Sequence, residues 1–168
     1  MQLNPSVPLH ALDLEILLRL GMAAVLGLLL GLDRELRGHA AGMRTHGIIC
    51  FSAAMMTVIV LGLYMQLGQG EKSRMDPLRI MEGTGAFVGI IAAGLIVTSG
   101  VKVHNLTTAV HMWLAAMIGI ACGAAQWPLV TVAVLVAVIM LTLLRVIEKR
   151  WLEPKDARDR ASSDDGSR

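Results

Sequence analysis

Five apolar blocks, each long enough to cross a bilayer, constrain this chain more than any other feature. A hydrocarbon core about 30 Å thick takes roughly 20 apolar residues in a helix. Blocks of that length fall at about 16–32, 46–67, 78–98, 106–125 and 128–147. Helix is the expected form, because lipid offers no partner to an unpaired backbone group. The predicted fold is therefore an all-α integral membrane protein, a compact bundle of about five transmembrane helices. Composition supports this: 55% of the 168 residues are hydrophobic, and the mean hydropathy is +0.63. Pro128 suits the first turn of its helix, where a missing N–H costs nothing. The fourth and fifth spans are joined so closely, through Gly123-Ala124-Ala125-Gln126-Trp127, that a tight turn is expected. Trp127 and Trp151 fall near predicted membrane edges, where indoles are favoured.

Five spans place the two chain ends on opposite sides. One side collects Arg34, Arg37, Arg44, Lys102 and the seven basic residues from Arg145 onward. The other holds Arg19, Lys72, Arg74 and Arg79. The positive-inside rule puts the richer side in the cytoplasm. The N-terminus is thus expected outside and the C-terminus inside. Residues 1–14 form an extracytoplasmic segment in this scheme, and residues 15–150 form the membrane domain. Residues 151–168 mix both charge signs with few apolar residues, a composition expected to stay disordered in the cytoplasm. No basic n-region precedes Arg19, so a cleaved signal peptide is not expected. The net charge of +2 gives no reason to expect a nucleic-acid partner. Cys50 and Cys122 lie in apolar spans without CxxC spacing and are expected to be small buried hydrophobes.

Glycine pairs recur one turn apart at Gly27/Gly31, Gly85/Gly89 and Gly119/Gly123. Small residues let helices approach closely where lipid removes the hydrophobic drive to associate. Packing within the monomer is the expected use, with contact to a second copy or another membrane protein as the alternatives.

Polar residues at membrane depth are costly and are the functional candidates. Asp33, Arg34, Glu35 and Arg37 follow directly on the first span. Asp33 and Arg37 are spaced as an i,i+4 pair, and Glu35 and Arg37 are adequately explained as a solvated helix end. Arg44-Thr45-His46 stands at the mouth of the second span after Gly42. Thr45 is placed to cap that helix, and Arg44 to lean back onto Asp33. Asp76 before Pro77 has the form of a helix N-cap. Glu82, one turn into the third span, is open to three uses: reaching the outer surface, pairing with Arg79, or serving as an interior cation or proton site. His104 and His111 are too far apart on a helix for one metal ion, about 10 Å by helical rise. His111 with Thr107 and Thr108 is placed to line a polar seam, but a histidine hydrogen-bonded between helices is the preferred reading. No Walker A loop, HExxH or nucleophile elbow occurs, and no enzymatic activity or resident cofactor is expected. A transient Mg²⁺ contact would leave little signature, since that ion keeps most of its waters.

GLDREL at 31–36 and GMRTHG at 42–47 resemble motifs of the MgtC/SapB family, whose pattern is Gly-x-Glu-Arg followed by Gly-Leu-Arg-Thr. DPLRI at 76–80, AAG at 92–94 and LTTAVHMWLAAMIGIACG at 106–123 continue the resemblance through all five spans. Three departures stand out: Asp33 where the family usually has Glu, a less glycine-rich 86–94, and Asn105 where Gly is frequent. The soluble C-terminal domain of the magnesium-linked members is also absent from these residues. The resemblance implies a bacterial inner-membrane protein linked to Mg²⁺ homeostasis. It carries over Asp33, Arg34, Gly42, Arg44 and Thr45 as the functional motif, with Asp76, Arg79, Thr107, Thr108 and Trp113 behind them. Two roles are open. One is a regulatory or accessory protein that binds a membrane partner through glycine faces or a charged rim. The other is a small oligomeric cation transporter or channel, with Glu82 and the Asp33/Arg44 end as gate or site.

Overall fold

The structure, a computed structural model, describes residues 14–67, 76, 78–99 and 102–151. The expected N-terminal segment up to residue 13 and the tail from residue 152 lie outside the described residues. Five helices are present among those described: α1 (Leu14–Leu36), α2 (Met43–Leu67), α3 (Leu78–Leu95), α4 (Leu106–Gly123) and α5 (Trp127–Trp151). Three contain stretches long and apolar enough to cross a membrane: Leu14–Leu36, Met43–Met65 and Leu106–Gly123. Met81–Leu95 and Trp127–Met140 are shorter apolar stretches.

The third helix ends before the expected Thr98. At Ile96-Val97-Thr98 three β-branched side chains follow one another, a run that crowds a helix and fits a pleated strand. Strands β1 (Val97–Ser99) and β2 (Lys102–His104) form there, paired antiparallel with Val97 opposite His104 and Ser99 opposite Lys102. His104 is consequently in a strand, and α4 begins only at Leu106, so the shared helix face considered for His104 and His111 does not exist. Asn105 bridges strand to helix with φ 63°, and its side-chain amide donates to the Leu95 carbonyl at 3.1 Å. That left-handed conformation explains why glycine suits the position and why asparagine is an acceptable replacement.

A first compact unit runs through Val130 and a second begins at Thr131. Within the first, α2 is central, packed along α1 and α4, while α3 leans chiefly on α4. The contacts between these helices are backbone-close. A methyl group on Gly31 would lie 2.6 Å from the Gly42 oxygen and from Met43 Cα. On Gly27 it would lie 2.7 Å from the His46 oxygen. A methyl on Gly119 would run into the Cys50 carbonyl, and one on Gly123 would lie 2.5 Å from the Ala54 oxygen. Both glycine pairs therefore serve packing inside the monomer. The α3 pair divides: Gly85 lies under the Trp113 ring, while Gly89 faces open space. Around these contacts Met112, Ala53, Ala116, Val88 and Ala41 form a buried cluster, and both cysteines are buried free thiols.

Helix α4 closes in a Schellman motif, with Ala125 N–H donating to the Cys122 carbonyl and Gln126 N–H to the Ala121 carbonyl. The short turn anticipated between the fourth and fifth spans is thus present. Its left-handed residue is Ala125, with φ 54°, where glycine is usual. The second unit is the remainder of α5, an apolar helix with Val132, Leu135, Val136 and Ile139 on its surface.

Two stability predictions follow from these contacts. Gly31→Ala and Gly119→Ala each cost about 1–3 kcal/mol by overpacking, whereas Gly62→Ala, which enters open space on α2, is neutral or stabilising. Ala125→Gly stabilises by roughly 0.5–1 kcal/mol, the left-handed strain removed less the entropy that glycine adds. Reversible unfolding in mixed micelles measures both.

Candidate functional site

The functional motifs converge where the end of α1 meets the starts of α2 and α4. Arg34 lies in the last turn of α1, three residues after the close contact at Gly31, and is 6% exposed. One terminal nitrogen of its guanidinium donates to Thr107 Oγ1 at 2.9 Å and to Thr108 Oγ1 at 2.7 Å. Thr108 is fully buried. The Asp-Arg motif and the Leu-Thr-Thr-Ala segment, separate in sequence, thus form one polar junction. Arg34 Nε is buried and has no hydrogen-bond partner among the described residues. A guanidinium stays protonated at any ordinary pH, so a full positive charge is held there by two neutral hydroxyls, with the neighbouring Asp33 carboxylate acting on it without a hydrogen bond.

Asp33 pairs with Arg37 on the next turn, through Nε at 3.1 Å and a terminal nitrogen at 2.9 Å. The pair expected from spacing is present, and Arg44 is not drawn back to Asp33. Arg44 is instead exposed, beside Ala24, Leu28 and Phe51 on the outer surface. Neighbouring Arg37 satisfies the carboxylate without the entropy of ordering a second long side chain.

Glu35 has a larger role than a solvated helix end. Its Oε2 accepts the Met43 N–H at 2.8 Å and so caps α2, placing negative charge at that helix N-terminus. Thr45 lies inside the first turn of α2, so the expected threonine cap is replaced by this carboxylate from α1. Gly42 makes the approach possible, since a methyl there would lie 2.6 Å from Glu35 Oε2. The carbonyl of Gly42 also accepts from the His46 N–H at 3.2 Å and meets its Nδ1 at 2.9 Å. A carbonyl only accepts, so Nδ1 carries the proton and the buried Nε2 is left bare. Of the polar seam considered along Thr107, Thr108 and His111, the two threonines meet Arg34, and His111 is half-buried on the same helix. In the connecting loop, His39 has its pKa lowered by desolvation and then by the Arg34 and Arg37 charges, with Asp33 opposing.

A second arginine, which sequence reasoning did not single out, holds the other end of the α1–α4 pair. Arg19 donates to the Gly123 carbonyl at 3.0 Å and forms an ion pair with Glu15. It thereby meets the negative end of the α4 dipole. Arg19 and Arg34 are fifteen residues apart on α1, as Thr108 and Gly123 are on α4. The two helices run antiparallel and are fastened at points about 22 Å apart by helical rise. The Glu15-x-x-x-Arg19 spacing inside an apolar block was the available signal.

The remaining candidates lie elsewhere. Asp76 Oδ1 accepts the Leu78 N–H at 2.9 Å, the expected cap of α3. Arg79 is exposed and borders a cleft of about 560 Å³ between α2 and α3, lined by Ile48, Ser52, Met56, Phe87 and Ile91 among others. Glu82 is exposed, and no ion pair joins it to Arg79 among the described residues. No cluster of three metal-binding side chains occurs among the described residues.

The profile of the MgtC family matches residues 20–150, which contain the whole junction. The chain belongs to the MgtC family. This MgtC-family chain is 33% identical to protein SapB of Bacillus subtilis over 159 residues, covering 92% of this chain and 68% of SapB. It is 32% identical to protein MgtC of Brucella abortus over 123 residues, covering 73% of this chain and 48% of that protein. It is 31% identical over 115 residues to YhiD of Escherichia coli K12, named as a proposed magnesium transporter, covering 68% of this chain and 54% of YhiD. No solved structure matches. With its apolar helices, the MgtC-family chain is a multi-pass bacterial membrane protein.

The junction predicts a graded mutational response. Thr108→Val removes the buried one of the two hydroxyls that accept from Arg34 and costs about 1.5–3 kcal/mol, while Arg37→Ala costs less than about 1 kcal/mol. A double-mutant cycle between Arg34 and Thr108 gives a coupling of roughly 1–2 kcal/mol. Additive single effects would show that the two side chains do not interact.

Proposed function

We propose that this MgtC-family protein serves Mg²⁺ homeostasis as a regulatory or accessory membrane protein, with no catalysis of its own. The observation that carries this reading is the buried Arg34 charge between α1 and α4. A fixed positive charge at low dielectric opposes passage of a divalent cation along the same seam. The backbone-close glycine contacts of α2 with α1 and α4 support it further, since they leave no room for an ion between those helices. The magnesium link itself rests on the relatives' names. The partner surface in this reading is the charged rim at the Arg34 end, expected to be cytoplasmic. There Arg44 is exposed and makes no ion pair among the described residues.

A cation transporter is the second reading, favoured by the name of YhiD. Mg²⁺ uptake into liposomes holding only this purified chain separates the two. The expected rate equals that of protein-free liposomes. Uptake abolished by Glu82→Gln would establish transport and overturn the accessory role. In cells at limiting Mg²⁺, Arg44→Ala should impair growth while leaving the purified protein's stability within about 0.5 kcal/mol of the parent. Arg37→Ala should grow normally. Equal growth of both variants would remove the rim from the proposal.

A further inference from the structure

Among the described residues, no side chain caps the start of α4. Asn105 occupies the N-cap position in a left-handed conformation and makes no side-chain cap bond, because its amide is turned to the Leu95 carbonyl. Its own carbonyl accepts the Ala109 N–H. Helix geometry then leaves the N–H groups of Leu106, Thr107 and Thr108 without intrahelical acceptors, at the positive end of the helix dipole. The contrast with its neighbours is informative. The α2 N-terminus takes the Glu35 carboxylate, and the α3 N-terminus takes Asp76.

An arginine is aimed at this same turn. Arg34 donates to both threonine hydroxyls of the first α4 turn, is more than nine-tenths buried, and keeps an unpartnered Nε. A cation beside the positive end of a helix is unfavourable by itself. Burial adds to that cost, and among the described residues no carboxylate hydrogen-bonds to this guanidinium. The carboxylates of the junction are already engaged, Asp33 with Arg37 and Glu35 with α2. Three backbone donors and one guanidinium are thus brought to the same helix turn.

We propose that the start of α4, together with Arg34, binds a phosphate-type oxyanion. A tetrahedral oxyanion offers several acceptors at once and suits helix N-termini and guanidinium donors alike. Two sources share that chemistry. One is the headgroup phosphate of a lipid, which reaches the turn past the exposed Leu106 and Val110. The other is free phosphate from the aqueous side.

The test uses the full chain purified in phosphate-free detergent. Binding of inorganic phosphate is followed by calorimetry. Retention of phosphatidylglycerol, against a phosphate-free diglucosyl lipid, is followed by native mass spectrometry. Saturable phosphate binding, or selective retention of the phospholipid, is expected; the first identifies a free-anion site and the second a headgroup site. Leu106→Asp places a carboxylate on an exposed position of the same turn. It is expected to weaken binding at least about tenfold while the melting temperature holds or rises. Arg34→Gln and Thr107→Val should weaken binding as well. The proposal is overturned if neither probe binds by about 10 mM, or if binding survives Leu106→Asp and Thr107→Val unchanged.

Discussion

A guanidinium that has left water but gained no carboxylate governs the arrangement of this protein. Arg34 lies at the end of a helix made mostly of Leu, Gly and Ala, and its charge must be solvated by whatever packs against it. The two hydroxyls that do so belong to the first turn of α4. This requirement fixes which end of α4 lies against which end of α1. At the far end Arg19 repeats the solution with a backbone carbonyl. Fifteen residues separate the two anchors on both helices, so sliding one helix by a turn would break both together. In a bilayer, where Leu against Leu is no better than Leu against lipid, such polar anchors set register.

Between those anchors, contact distance does the remaining work. α2 receives α1 on one side through Gly27 and Gly31, and α4 on another through Gly119 and Gly123. Each glycine meets backbone or Cβ atoms of α2, so dispersion forces act over backbone-to-backbone distances. The loop from α1 to α2 is part of the same construction. Glu35 reaches over Gly42 to cap α2, while Gly42 rests on Gly31. The motif residues of the two segments are therefore tied to one local geometry, a carboxylate passing over a bare Cα.

The helices were legible from sequence because bilayer thickness imposes a length that hydropathy reveals directly. The glycine pairs of α1 and α4 were legible for a similar reason, since lipid leaves few other ways to hold helices together. The polar contacts were less so. Asp33 and Arg37 follow from helical spacing alone, but Arg34 with Thr108 spans 74 positions, and no periodicity links such residues. The family resemblance placed them in the same motif set without indicating that they touch. Glu35 was taken for a solvated side chain because its partner is a backbone N–H, which leaves no mark in the sequence. Gly85 and Gly89 look alike on paper, yet only Gly85 has a neighbour, the Trp113 ring. The end of α3 was misplaced because hydropathy does not distinguish a helical Ile-Val-Thr run from an extended one.

The identity of residue 34 follows from the same geometry. One terminal nitrogen of the guanidinium serves two hydroxyls on adjacent residues, while the rest of the planar group remains available in a fixed orientation. An ammonium could satisfy one or both hydroxyls, but as a point charge it would present no further donors along a defined direction. Lysine at this position would preserve the charge and still lose the buried Nε donor. Arginine or lysine also occurs at other positions on the side expected to be cytoplasmic, Arg37, Arg44 and Lys102. Orientation signals tolerate either residue, so they give no reason for a buried arginine here. Directional donors beside an uncapped helix do.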